Sequence, residues 1–152
     1  MEVNISVQGL NKTQEALQTL KDKVQDTSPL MAELSNHLYN IVEDSFENQS
    51  SPDGKKWSPI KQTGRIKKGG SQKILFKSGD MQDSLGKDSS NDTAEIGLNA
   101  TSNGYPYAFV HQFGTLDGKT ESRAFMPIKN DGSLYDGIEG ELVEIVAEYI
   151  KL

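Results

Sequence analysis

At 152 residues, with 34% hydrophobic and 25% charged side chains, the chain is sized for one domain with a modest core and long polar connections. The absence of cysteine excludes disulfides and thiolate metal sites and suits a reducing cytoplasm. No apolar run approaches the ~18 residues of a membrane span, and the start Met1-Glu2-Val3-Asn4-Ile5-Ser6 does not read as a secretory signal.

A net charge of −6 argues against a general nucleic-acid binder, yet the charge is segregated. From Lys55 to Lys77 there are eight basic residues (Lys55, Lys56, Lys61, Arg65, Lys67, Lys68, Lys73, Lys77) and no acid. The rest of the chain sets the other eight of its 16 basic residues against all 22 acidic ones, a net −14. Such a split points to a charged partner for one or both faces.

Val3, Ile5 and Val7 alternate with polar residues and end at Gly9, the pattern of a short half-buried strand. A polar helix is predicted over Thr13–Lys23, with a thin stripe of Ala16, Leu17, Leu20 and Val24. The strongest helical pattern runs over about 29–48. Ser28 reads as its N-cap, and Pro29 suits the first turn, where its missing N–H would have no partner anyway. Leu30, Leu34, Leu38, Ile41, Val42 and Phe46 form its apolar face, and Glu33, Asn36, Asn40 and Glu43 its wet one. This helix is the expected scaffold for a sheet.

Periodicity is lost over 49–72, a length of connection that is functional or flexible more often than structural. Ser51-Pro52-Asp53-Gly54 is a turn, Trp57-Ser58-Pro59-Ile60 a lone apolar anchor, and Gly64, Gly69 and Gly70 punctuate a lysine-rich stretch. Ser78 to Leu85 reads as a turn entering a strand or short helix. Ser89-Ser90-Asn91-Asp92 is a hairpin turn, and Thr93 to Leu98 is the second arm. After a polar turn at Ala100–Gly104, Tyr105 to Phe113 is predicted as a short helix capped by Gly114. Phe125-Met126-Pro127-Ile128 reads as an edge strand, because Pro127 cannot donate to a central ladder. Ser133 with Asp136 resembles a capping pair for a last amphipathic helix traced by Leu134, Ile138, Leu142, Ile145, Val146, Tyr149 and Ile150. Gly137 and Gly140 loosen its start. The order predicts an α+β fold in one domain: a small curved antiparallel sheet packed by the long helix and the C-terminal helix, with a long basic loop.

Candidate chemistry is sparse. Gly64 to Ser71 has phosphate-loop spacing, but Gly70 stands where lysine is needed and no apolar strand precedes it. His37, at the edge of the long helix's apolar face, reads as a hydrogen-bonded flank residue. His111, among aromatics, reads as a structural residue bonding backbone, in preference to a general base or metal ligand. Asp80, Asp83 and Asp88 read as turn-capping aspartates. Glu139, Glu141, Glu144 and Glu148 are the wet face of the last helix. Their sign opposite to the basic stretch also suggests a head-to-tail contact between subunits, Lys55, Lys56, Arg65, Lys67 and Lys68 of one meeting Glu141, Glu144 and Glu148 of the next.

An ordered set of motifs remains: Trp57-Ser58-Pro59-Ile60; Ile74-Leu75-Phe76-Lys77-Ser78-Gly79-Asp80-Met81-Gln82-Asp83-Ser84-Leu85; Ile96-Gly97; Tyr107-Ala108 with His111-Gln112-Phe113-Gly114; and Arg123-Ala124-Phe125. Over roughly residues 30 to 150 this resembles the phage virion morphogenesis family, the Mu-type tail-completion proteins. Departures from the family pattern are Ile60 for leucine, Ser78 for threonine, Met81 for leucine and Ala124 where proline is common.

The resemblance implies a structural protein of a phage or prophage, acting in tail completion or head–tail joining as a ring component on the tail axis. It also implies no enzymatic activity, no cofactor and no small-molecule substrate. The expected partners are other tail or head–tail connector proteins and further copies of the chain, with DNA contact in the lumen. The protein would occupy the host cytoplasm before assembly and the virion after it. Trp57, Gly79, Tyr107, His111, Gln112, Phe113, Gly114, Arg123 and Phe125 are the signature residues. Two rivals stand beside this reading: a small hydrolase or nuclease using His111, and a nucleic-acid binder using Lys55–Lys77.

Overall fold

A computed structural model of the chain describes residues 10–60, 73–76 and 79–151. The strand expected at Val3–Val7 and the glycine-rich stretch 64–71 lie outside these residues. The order is α1 (Leu10–Gln25), α2 (Ser28–Asn48), α3 (Asp80–Asp83), β1 (Leu85–Ser89), β2 (Ala94–Leu98), α4 (Tyr107–Phe113) and α5 (Ile138–Ile150). It is an α+β architecture, helices around one small antiparallel sheet.

No glycine interrupts the 21 residues of α2, whose four outward residues Glu33, Asn36, Asn40 and Glu43 are exposed as their spacing requires. Its deepest positions are Ser35, Val42, Ser45 and Phe46. The two serines are buried without penalty because each hydroxyl bonds back to its own helix, Ser35 to the Ala32 carbonyl at 2.9 Å and Ser45 to the Ile41 carbonyl at 3.0 Å.

Ser28 is not the N-cap. Thr27 holds that place, and the Ser28 N–H donates instead to Asp26 Oδ1 at 3.0 Å. Hydrogen bonds from Ser28 hold the Asp26 carboxyl below its ordinary range. The Thr27 hydroxyl bonds the Asn91 carbonyl, and its N–H the Asn91 side chain at 3.0 Å, so the α1–α2 corner is tied to the hairpin turn.

The sheet is a hairpin. β1 and β2 pair from Leu85↔Leu98 to Ser89↔Ala94, and the Ser90 N–H closes the turn on the Thr93 carbonyl at 2.9 Å. One face lies on α2, where Val42, Phe46, Trp57, Met81, Leu85, Ala100 and Phe125 form the core.

Two expectations fail at the C-terminal side. Phe125–Ile128 is not a strand: its backbone groups bond a side chain, described below, in place of a ladder, and only Ile128 forms an isolated bridge, to Leu134. The sheet therefore has two strands among the described residues. The Ser133/Asp136 pair does not cap α5 either. Ser133 bonds Asp131 through both its N–H and its hydroxyl, Asp136 pairs with Lys129 at 2.9 Å, and the helix starts only at Ile138, after Gly137 at φ +91°. A conformation that L side chains rarely adopt is reached there with glycine.

Candidate functional site

Trp57, Gln112, Gly114, Arg123 and Phe125 meet at one joint beside the core. Phe46 of α2 is its floor: Phe125 stacks on it at 5.1 Å between ring centroids, and Trp57 meets it edge-on at 5.9 Å. Trp57 and Phe125 are both buried, and the indole N–H, which needs a partner there, donates to the Ala124 carbonyl at 2.8 Å. The Trp57 backbone N–H donates to the Gln49 carbonyl at 3.0 Å. From the other side, Arg123 reaches the same segment, with Nε 3.0 Å from the Ser58 carbonyl and Nη2 3.4 Å from that of Pro59.

Gln112 is the centre of the joint. It is buried on α4, and its Oε1 accepts from the N–H groups of Phe125 and Met126, each at 2.9 Å. Its Nε2 donates to the carbonyls of Ile128 at 3.0 Å and Met126 at 3.4 Å. One amide thus bonds backbone groups that a neighbouring strand would otherwise bond, and Phe125–Ile128, which bends at Met126 and Pro127, does not join the sheet. The Ser122 hydroxyl bonds the Gln112 carbonyl at 2.6 Å, and the Arg123 N–H bonds the His111 carbonyl at 2.7 Å.

Gly114 closes α4 with φ +76°, and a Cβ built on it would lie 2.9 Å from the Thr120 carbonyl and 3.1 Å from the Ser122 nitrogen. Both the dihedral and the close approach of the 120–122 backbone therefore select glycine. Gly79, at φ +91°, precedes α3 and lies against Phe76 and Asp83.

The hydrogen bond expected from the His111 imidazole to backbone is not found. Its Nδ1 is buried with no hydrogen-bond partner among the described residues, and Tyr107 meets the ring edge-on at 6.4 Å. Burial first, and the positive charge of Arg123 second, push the imidazole below its ordinary pKa, so the site favours the neutral ring. The backbone-bonding role falls to the next residue, Gln112. Phe113 packs edge-on with Phe109 at 4.8 Å on the outer side of α4.

The charged residues do not gather at this joint. Lys56 caps the end of α2, its Nζ 2.7 Å from the Asn48 carbonyl, which suits a cation at a helix C-terminus. Lys55 is exposed, its N–H held by Asp53; Arg65, Lys67 and Lys68 lie outside the described residues. Glu141 is engaged within the chain by His37 at 2.8 Å, Glu148 faces Lys151 at 3.3 Å, and Glu144 is exposed. His37 is thus the hydrogen-bonded flank residue its position on the long helix suggests.

Sequence reasoning missed Gln49. It ends α2 at φ +54°, and its side-chain amide brackets Ile74, accepting from the Ile74 N–H and donating to the Ile74 carbonyl at 3.2 Å. Its own carbonyl holds Trp57, so the two ends of the basic stretch meet at one residue. Its only sequence signal is its place directly after the long apolar pattern.

Taken together, the site defines a small α+β protein whose shared side chains hold backbone segments against one another. The profile of the phage virion morphogenesis family matches residues 9–135, more than four-fifths of the length, and the chain belongs to that family. It is a phage protein of virion assembly, associated with the virion. No curated protein and no solved structure matches it.

Proposed function

We propose that the protein completes the tail or joins head to tail, as one subunit of a ring on the tail axis, and that it is not an enzyme. Membership of a virion morphogenesis family over residues 9–135 carries this reading. The joint supports it: the amide of Gln112, the indole N–H of Trp57 and the guanidinium of Arg123 are all engaged with backbone carbonyls or N–H groups. These side chains set shape, and shape is what a subunit in a stacked assembly must supply.

The partners in this reading are neighbouring copies and the tail or connector proteins above and below, with DNA passing through the lumen. Charge supports contacts between copies. Lys55 is exposed on the 51–56 turn and Glu144 and Glu148 along α5, which places opposite signs on separate parts of one subunit. Arg65, Lys67 and Lys68 join the basic side of that contact on sequence grounds alone.

The test is genetic. In-frame deletion of the gene from the phage or prophage, followed by electron microscopy of the lysate, is expected to show heads and tails that are complete but unjoined, with joining restored by the wild-type gene. Normal infectious particles from the deletion would overturn the proposal.

A further inference from the structure

Among the described residues, helix α1 has little of its own molecule to lean on. Its last turn is tied to the last turn of α5: Lys23 Nζ bonds the Lys151 carbonyl at 2.8 Å and lies 5.7 Å from the Tyr149 ring, whose hydroxyl bonds the Asp26 carbonyl at 3.0 Å. That contact leaves Leu17 and Val24 in solvent, 61% and 62% exposed. They sit with half-buried Leu20 at i, i+3 and i+7, one continuous stripe. A 16-residue helix is near the length at which an isolated helix is marginal in water, so its stability depends on a covering partner.

On α5 the same spacing recurs. Val143, Val146 and Ile150 are exposed on a flank separate from the inward residues Ile138, Leu142 and Tyr149. The borders of the two stripes carry opposite charge. Lys21 lies one turn from both Leu17 and Val24, on a helix with three lysines and two acids. Glu139 lies one turn from Val143, on a helix with four glutamates and no basic residue.

We propose that these stripes are the two halves of a contact between copies, α1 of one subunit lying on the outer flank of α5 of the next, with Lys21 beside Glu139. Such a contact joins unlike surfaces, so it propagates from copy to copy, and it closes into a ring when the rotation between copies closes. It rests on the reading of the protein as a ring subunit and names the surfaces that build the ring. Apolar burial supplies the attraction, and the charged borders fix which helix meets which.

The chain has no native cysteine, so cross-linking is clean. Full-length Leu17→Cys/Val146→Cys, oxidised both at high protein concentration and in purified particles, is expected to give a ladder of dimers and higher multimers on a non-reducing gel. Each single variant is expected to stay monomeric; a dimer from either alone means like-to-like pairing and overturns the proposal. So does a double variant that stays monomeric in both samples, or one that closes its disulfide within one chain. Adding Val143→Glu should lower the multimer yield at least about tenfold, because a charge is forced into the contact, while leaving the monomer's melting temperature unchanged. An unaltered ladder removes α5 from the interface. A missing ladder in a phage whose gene deletion still leaves heads and tails unjoined overturns this surface alone and leaves the proposed function standing.

Discussion

Along the hairpin, backbone groups pair with each other, strand to strand, from Leu85↔Leu98 to Ser89↔Ala94. Along Phe125–Ile128 the side chain of Gln112 bonds the N–H groups of Phe125 and Met126 and the carbonyls of Met126 and Ile128. Among the described residues, backbone supplies only the Tyr135 N–H to the Pro127 carbonyl and the Ile128–Leu134 bridge. The hairpin can exchange most of its exposed side chains without losing a ladder bond, since the bonds belong to the backbone. The second region has no such tolerance, because one substitution removes every bond that the Gln112 side chain makes. Irregular backbone beside a core is therefore held by a few residues that act alone.

That contrast can be broken at graded depth. Trp57→Ala or Phe125→Ala removes a wall of the joint along with core volume, and either is expected to destabilise by about 3–5 kcal/mol, read from the urea midpoint. Gln112→Leu keeps apolar bulk but strands two backbone N–H groups beside the core, with an expected loss of about 2–4 kcal/mol. Glu95→Thr, on the exposed side of the hairpin, should stay within about 0.5 kcal/mol; equal losses at the two positions would erase the contrast. Gly114→Ala forces both a left-handed dihedral and a Cβ against the Thr120 carbonyl, for about 1–3 kcal/mol, measurable as a lower melting temperature.

Smaller effects sharpen the picture. The folded protein holds His111 below its ordinary pKa, so below about pH 6.5 the unfolded chain binds the proton more readily than the folded one. Stability should be full above that pH and fall as the pH drops through the window towards the folded pKa. His111→Gln should flatten the fall between about pH 7 and pH 5; parallel melting curves for the two proteins would rule the titration out. Least of all, His37→Gln removes a partly exposed contact with Glu141 and should change stability by less than about 1 kcal/mol.

Regular elements were legible because their patterns are local. The long helix, the hairpin with its turn and the short helix ending at Gly114 each follow from spacing within a window that the element itself spans. The errors share another cause. Ser28 lies one residue inside the helix, behind Thr27, and Ser133 is turned to Asp131 four residues ahead of Gly137, where α5 is capped, so each capping pattern was correct in form and misplaced by a few residues. Phe125–Ile128 has a strand's sequence, and its neighbour decides otherwise. In the joint, the motifs pointed to Trp57, Gln112, Gly114 and Arg123, whereas Gln49 carries no pattern that separates it from any surface glutamine.

By itself, the sequence determined the α+β class, the scaffold helix, the segregation of charge and, through its ordered motifs, the family. All of these are carried by composition or by short-range period. Only the tertiary structure decided what Gln112, Gln49 and His111 do. An amide is exposed and unremarked, or buried and indispensable, according to which backbone passes within about 3 Å of it, and that backbone comes from elsewhere in the chain. Only the fold, likewise, showed that half of the apolar stripe of α1 faces away from its own molecule: periodicity says that a stripe must be covered, and packing says whether the same copy covers it.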